Sequence, residues 1–149
     1  MEEKKRARLP VKWIRDMNKS RYQKGDTCAI CGTKEEIEFH HFNSLTLLFE
    51  KWLKLKGITI ESDDDVLSIR EQFSNEHKRE LFGEVVDLCK AHHTRLHDIY
   101  GITPKLHTAE KQKRWVGIQA EKHGLTYEFV ERHEKLGERK AKPSATDNR

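Results

Sequence analysis

The chain has 149 residues, of which 36% are charged and 35% are hydrophobic. This length predicts one small domain with tails rather than two large domains. No run of residues approaches the roughly 18 unbroken apolar positions that a membrane span needs, and the first ten residues lack the apolar core of a secretory signal. We therefore expect no membrane partner and a cytoplasmic, intracellular location.

The formal net charge of +4 is unevenly distributed along the chain. Residues 1–25 hold nine Lys and Arg against three acids, residues 61–102 sum to −5, and residues 103–149 sum to +4. Basic ends around an acidic centre suit a polyanion such as nucleic acid, because each neutralised phosphate releases condensed counterions. Solvated helices can have the same distribution, so charge alone leaves both interpretations open.

The apolar spacing predicts a first helix over residues 11–24 that ends at Gly25. The first two cysteines follow. The chain has three cysteines, an odd number that argues against a disulfide framework and for reduced thiolates that are inert or hold a metal. A metal would add stability, since the hydrophobic fraction supports only a modest core. Residues 37–42, "IEFHHF", are β-branched and aromatic and predict one strand of a hairpin.

Two helices are predicted between the cysteine-containing segments. Residues 45–55 carry a helical apolar stripe that Gly57 is placed to stop. A second helix is expected over residues 63–82, where Ser62 and Asp65 form a capping box. Extra core is the favoured role of these helices, ahead of a dimer interface or a DNA-reading element.

The C-terminal third predicts two more helices and a tail. One helix is expected over residues 89–100, and another over residues 108–123 that ends at Gly124. Residues 137–149 are polar without a large apolar side chain, which predicts a frayed tail.

Two pairs of potential metal ligands have the spacing that is typical of structural zinc. Cys28 and Cys31 are separated by two residues, and so are Cys89 and His92. A short loop lets the first two sulfurs converge, while the second pair lies on one side of a helix's first turn. Buried thiols beside a surface histidine are the alternative, which the second pair disfavours.

His93 and His97 are four residues apart, so on a helix they lie about 40° apart on one face, like the paired histidines of zinc proteases. His92 lies about 100° from His93, so these neighbours cannot easily serve one ion. His40 and His41 point to opposite faces of the predicted strand. One of them can therefore join a second metal while the other accepts a proton, since imidazole has an ordinary pKa of about 6.5. A strand histidine bonded only to backbone is the alternative.

The segments "CAIC", "IEFHHF" and "VVDLCKAHHTRLH", in this order, resemble the HNH (His-Me finger, ββα-metal) endonuclease family, specifically its zinc-stapled members. The resemblance covers about residues 26–101. It implies an α+β, mostly helical fold, with a small ββα-metal core of a β-hairpin and a helix, a helical insertion and flanking helices.

The expected organisation has four consecutive parts, the second of which contains an insertion. Residues 1–25 form a basic N-terminal arm, and residues 26–102 form the nuclease core with its insertion at 44–83. Residues 103–136 form a basic helical extension, and residues 137–149 form the disordered tail.

The resemblance also implies roles for single residues. By this resemblance, His41 is the general base. The ligands of the catalytic ion are His40, His93 and His97. By the same resemblance, the ligands of the structural zinc are Cys28, Cys31, Cys89 and His92. His92 stands where the family usually has a fourth Cys, an exchange that zinc accepts. Glu84 stands where the family commonly has a bracing Asn, so that role stays unassigned; Asn43 and Asn75 lie elsewhere.

These roles predict a metal-dependent DNA endonuclease that hydrolyses phosphodiesters. The resemblance implies products with 5′-phosphate and 3′-hydroxyl ends. Three imidazoles suit Mn²⁺, Ni²⁺, Co²⁺ or Zn²⁺, and Mg²⁺ is expected in the cell because it is abundant. Double-stranded DNA is the expected partner, with RNA less favoured. Arg95 is expected at the scissile phosphate. The expected contacts to the DNA backbone are Lys4, Lys5, Arg6, Arg8, Lys12, Arg15, Lys111, Lys113 and Arg114.

The main alternative is a non-catalytic, zinc-stabilised DNA-binding module. A zinc-dependent deaminase would need His-x-Glu and Pro-Cys-x-x-Cys signatures, which the sequence lacks, and a thioredoxin-like redox pair would need a βαβ context. The oligomeric state stays open: a dimer favours paired nicks and a monomer favours a single nick. A phage or mobile element is the expected setting, by analogy alone.

Overall fold

A computed structural model describes residues 9–135 of the chain. Strand β1 (Ile37–His41) pairs antiparallel with strand β2 (Val85–Cys89), and helix α4 (Lys90–Tyr100) follows β2 directly. All five residues of β2 are buried. This ββα unit, with helices around it, confirms the predicted α+β, mostly helical fold class.

Helices α2 (Leu45–Lys56) and α3 (Asp63–Glu76) lie in the connection between the two strands. The predicted stop of α2 is confirmed, because Gly57 adopts φ 70° and its N–H bonds to the last carbonyls of the helix. The capping box at Ser62 is confirmed too. The predicted end of α3 at residue 82 is wrong: His77 leaves helical geometry with φ −129°, and a short π-helical turn follows.

The first helix is also shorter than predicted. Helix α1 spans Lys12–Asn18 and continues as a 3₁₀ turn over Lys19–Arg21. The backbone then becomes extended at Tyr22, whose ring is buried against Phe39 and Phe82. The extended backbone at Tyr22, which places its ring in the core, therefore stands where the spacing predicts a last helical turn.

Two hydrophobic cores hold these elements. In the first, α1, α2 and α3 pack together around Phe49 and Phe73, which are fully buried. The second lies between the strands, α4 and α5 (Ala109–Lys122), and includes Leu88 and Val116. Fully burying a large apolar side chain stabilises a fold by about 1.5–3 kcal/mol. The insertion therefore contributes to the first of these cores, which it shares with α1.

The chain returns across the fold after α5. Residues 125–135, here called the C-terminal strap, have no regular secondary structure. Arg132 forms a 2.8 Å ion pair with buried Asp87, and Glu134 forms a 2.6 Å ion pair with Arg21. Within the predicted helical extension over residues 103–136, the helix ends at Lys122, close to the predicted stop at Gly124, which adopts φ 78°. The two ion pairs hold the following strap against the fold.

Some sequence predictions lie outside the described residues, namely those for Lys4, Lys5, Arg6, Arg8 and the tail at 137–149. Across residues 9–135, no helix has the length and apolar character that crossing a membrane requires.

Candidate metal centres

Four side chains from three segments form the first candidate centre, the Cys₃His cluster. Cys28 and Cys31 lie on the loop before β1, Cys89 ends β2, and His92 lies in the first turn of α4. The Sγ atoms of Cys31 and Cys89 are 3.9 Å apart. The Nδ1 atom of His92 lies 3.3 Å from Cys89 Sγ and 3.9 Å from Cys28 Sγ.

These separations fit a tetrahedral zinc ion. With Zn–S bonds of about 2.3 Å, neighbouring thiolates in a tetrahedron lie about 3.8 Å apart. All three cysteines are free thiols. The structure therefore brings together the four residues that the sequence pairs predict, and this cluster can hold zinc.

Local backbone geometry aims the first two sulfurs inward. The Cys28 N–H donates to the Thr33 carbonyl at 2.9 Å, and the Gly32 N–H donates to the Cys28 carbonyl at 2.9 Å. Gly32 sits at φ 79°, where a residue with a Cβ atom would be strained. This tight turn explains why two cysteines separated by two residues can direct their sulfurs to one point.

The second candidate centre, the three-histidine site, joins β1 to α4. His40 Nδ1 lies 3.1 Å from His93 Nε2, which in turn lies 3.1 Å from His97 Nε2. His93 and His97 share one helix face, as the spacing of four predicts. His40 is buried, and the other two border an open cleft that Thr94 and Ile102 also line.

The hydrogen bond on the far side of His40 fixes which of its nitrogens carries the proton. Its Nε2 atom lies 2.7 Å from Gln112 Oε1. The amide Nε2 of Gln112 donates to the Phe42 carbonyl at 3.2 Å, so the oxygen of this amide faces His40. An amide oxygen only accepts hydrogen bonds, and the His40 Nε2–H must donate to it. His40 therefore turns the lone pair of Nδ1 towards the other two rings.

The other two histidines are anchored in the same way. His93 Nδ1 donates to Glu38 Oε1 at 2.8 Å, and His97 Nδ1 donates to the Gly101 carbonyl at 2.8 Å. Each ring then presents the lone pair of Nε2. Metal-binding histidines in proteins almost always have such a partner on the second ring nitrogen.

Three imidazole lone pairs thus converge with no proton between them, and that arrangement fits a cation. Bonds of about 2.0–2.1 Å at about 90–109° separate ligand nitrogens by about 2.8–3.4 Å. Burial lowers the pKa of His40 to about 3, and burial also lowers the pKa of His93. Both rings are therefore neutral near pH 7, in the form that binds a metal.

His41 lies on the opposite face of β1, so the structure does not bring it into the cleft. Its ring packs 5.1 Å from the Tyr22 ring and 5.3 Å from the Phe39 ring, measured between centroids. Its Nε2 atom is covered and has no hydrogen-bond partner within residues 9–135. Burial, together with the charges of Arg15 and Lys24, lowers the pKa of His41 to about 4.

The structure does not bring two of the predicted phosphate contacts to the cleft. Arg95 is exposed, but two residues along a helix turn it about 200° away from His93. Its charge instead acts on His92, where it lowers the imidazole pKa after burial and His123. Lys113 is buried: its Nζ atom lies 2.8 Å from Glu110 Oε2 and caps an aromatic ring. The remaining described basic residues of that prediction are exposed, namely Lys12, Arg15, Lys111 and Arg114.

The sequence analysis did not predict the roles of several polar residues around the sites. Glu38 and Gln112 anchor two of the three histidines. Glu84, whose role stayed open, is buried and accepts a 2.7 Å hydrogen bond from Asn43. A period-two reading of β1 could have placed Glu38 on the face of His40, but no local pattern marks Gln112.

Comparison with known families identifies the chain. The family model of the phage T5 nicking endonucleases, described as the nicking endonuclease family, matches residues 1–134. The chain belongs to the nicking endonuclease family. This nicking endonuclease is therefore a nuclease that acts on DNA, which favours the enzyme over the non-catalytic binding module. No solved structure matches the chain.

Proposed function

We propose that this nicking endonuclease hydrolyses one strand of double-stranded DNA by HNH-type, metal-dependent chemistry. The observation that carries the proposal is the convergence of three imidazole nitrogens, from His40, His93 and His97, beside an open cleft that the last two residues line. The other nitrogen of each ring donates a hydrogen bond to a protein oxygen, so the three facing nitrogens carry lone pairs and no hydrogen bond links them. This arrangement is suited to bind a cation.

The two centres have separate tasks in this proposal. The three-histidine site would hold Mg²⁺ or Mn²⁺, with Ni²⁺ or Co²⁺ able to substitute. When bound, this ion supplies Lewis-acid stabilisation of the phosphate charge and of the departing 3′ oxygen. The Cys₃His cluster would hold zinc and fix the start of α4 against β2, which sets the position of His93.

His41 is the proposed general base. Its lowered pKa of about 4 keeps the ring neutral near pH 7, and its Nε2 lone pair is unshared within residues 9–135. A neutral imidazole can take the proton of a water that attacks the phosphodiester. Because the Tyr22 ring packs against His41, binding of DNA must move that ring to admit the water.

The flanking segments would hold the DNA backbone. Exposed Lys12 and Arg15 lie on α1, and exposed Lys111 and Arg114 lie on α5. We retain the division into a basic arm at 1–25, a core at 26–102 and an extension from residue 103 as part of this proposal. The Arg15 charge already acts on His41, which supports an N-terminal contact near the reacting phosphate.

Incubation with supercoiled plasmid under Mg²⁺, Mn²⁺ or EDTA tests the proposal. The wild-type protein should convert the plasmid to open circles with either metal and not with EDTA. His41→Ala should lower the rate at least about 100-fold with zinc content unchanged. His133→Ala, an exposed histidine of the strap, is the matched control.

Two outcomes would overturn parts of the proposal. Linear product at early times would show double-strand cleavage instead of nicking. No cleavage with any metal would favour the second candidate, a zinc-stabilised DNA-binding module.

A further inference from the structure

A glutamine from the C-terminal helix completes the three-histidine site. Gln112 is fully buried on α5, a helix whose other buried positions include Ala109, Val116 and Ala120. A buried amide among apolar neighbours is costly unless its hydrogen bonds are satisfied. Gln112 satisfies both ends of its amide at the metal site, which calls for an explanation beyond packing.

We propose that Gln112 is a positioning residue, which holds His40 as the Nε2–H tautomer and so directs the Nδ1 lone pair to the ion. This inference rests on the proposed function, since it concerns the ion of the three-histidine site. It makes α5 a part of that site and not only a contact to DNA.

The orientation of the amide is determined by its neighbours. The Phe42 carbonyl can only accept, so the NH₂ group of Gln112 must face it across 3.2 Å. The same NH₂ group donates to Thr108 Oγ1 at 3.0 Å. The oxygen then has one direction left, towards His40 Nε2 at 2.7 Å. A flipped amide would set its oxygen against the Phe42 carbonyl oxygen, two acceptors with no proton between them.

The same side chain also holds the backbone at the end of β1. Phe42 directly follows His41, so Gln112 contacts the side chain of His40 and the peptide after the proposed base. Thr108, the N-cap residue of α5, stands one turn before Gln112 and accepts a hydrogen bond that fixes the amide in place. One residue of α5 therefore sets the position of the strand end that carries both histidines.

The anchors of the other two ligands lie within the ββα unit itself. Glu38 belongs to β1, and Gly101 is the C-cap of α4. Gln112 alone among these three anchors comes from outside that unit. The ββα unit can therefore present two of its imidazoles unaided, whereas the orientation of His40 depends on α5.

Variants at position 112 test this role by metal binding and by tautomer, without DNA. Mn²⁺ affinity is measured by calorimetry, and the tautomer of His40 is read from imidazole ¹⁵N shifts. Gln112→Leu removes the acceptor and should weaken Mn²⁺ binding by about 10- to 100-fold, with the His40 tautomers mixed and the zinc content unchanged. Gln112→Glu keeps an acceptor for the His40 Nε2–H and should retain the tautomer, but it should lower the stability because its second oxygen opposes the Phe42 carbonyl. Gln119→Leu makes the same change at a half-buried position of α5 and should match the wild type.

Wild-type affinity and an unchanged tautomer in Gln112→Leu would overturn the inference. If that variant does not fold, Thr108→Val loosens the amide and should still weaken Mn²⁺ binding relative to Gln119→Leu; equal affinities would overturn the inference too. The tautomer measurement needs no metal. It therefore judges Gln112 even if the wild type binds no Mn²⁺, a result that would overturn the proposed function alone.

Discussion

Asn43 Nδ2 donates a 2.7 Å hydrogen bond to Glu84 Oε1, and both side chains are buried. Asn43 lies two residues after β1 and Glu84 immediately precedes β2. The Phe42 N–H also donates to the Glu84 carbonyl at 3.1 Å. These bonds close the base of the helical insertion, so the strands keep their pairing although more than forty residues separate them.

Asn43→Ala would leave the buried Glu84 oxygen without its donor. We expect the free energy of unfolding to fall by about 1–3 kcal/mol, measured by urea denaturation. Asn75→Ala, at an exposed asparagine, should change it by no more than about 0.5 kcal/mol. Equal losses in the two variants would contradict a bracing role for the Asn43 bond.

Removal of zinc should expose every thiol at once. The chain has three cysteines, and all three lie in the Cys₃His cluster. A thiol reagent should therefore react slowly with the metal-loaded protein and with three equivalents after a strong chelator is added, together with loss of folded structure. Thiols that react equally fast before and after chelation would argue against a metal at this cluster.

Stability should decrease in acid partly through His41. Burial lowers its pKa from 6.5 to about 4 in the folded protein, so the unfolded chain binds an extra proton between these values. The stability is fully present above pH 6.5 and is lost as the pH falls towards 4. His41→Gln should make the slope shallower by up to about 1.4 kcal/mol per pH unit, measured by urea denaturation from pH 4.5 to 7.5. Parallel slopes would show that His41 titrates normally.

Basic residues of α1 should control the salt dependence of DNA binding. Replacing Lys12 and Arg15 by Gln removes two side chains that are proposed to neutralise phosphates. The slope of log affinity against log salt should fall by about 0.9 for each phosphate that is no longer neutralised. Replacing Lys51 and Lys54 of α2, which are also exposed, removes the same charge as a control. Similar slopes for the two double variants would place the DNA elsewhere.

The strap ion pair should be a major contribution to stability. Asp87 is buried and accepts hydrogen bonds from the Gly25 N–H at 3.0 Å and from Arg132 at 2.8 Å. Arg132→Ala leaves that carboxylate without its cation, and we expect a loss of about 3–5 kcal/mol in thermal or urea unfolding. Arg95→Ala, at an exposed position, is the control. A loss below about 1 kcal/mol would mean that water replaces Arg132.

The sequence predicts features that depend on neighbouring residues. A tight turn explains the spacing of Cys28 and Cys31, and helix geometry explains that of His93 and His97. Both candidate ligand sets could therefore be predicted from the sequence. Gly57 likewise marks its helix end through a positive φ.

Other features depend on contacts between distant segments, which no local pattern encodes. Every residue of β2 is buried, including Asp87, so it lacks the alternation that identifies a strand. Lys113 looks like a solvated base, but Glu110 and the Phe129 ring cover it. Gln112 finds its partner 72 positions earlier in the chain.

That separation also sets an order of events during translation. A ribosome adds about 5–20 residues per second, so Gln112 is made several seconds after His40. The strap, which binds Arg21 and Asp87, is made later still. A nascent chain thus carries the strands and α4 before it carries the residues that finish the site. The buried His40 and Asp87 consequently gain their partners only after α5 and the strap have been synthesised.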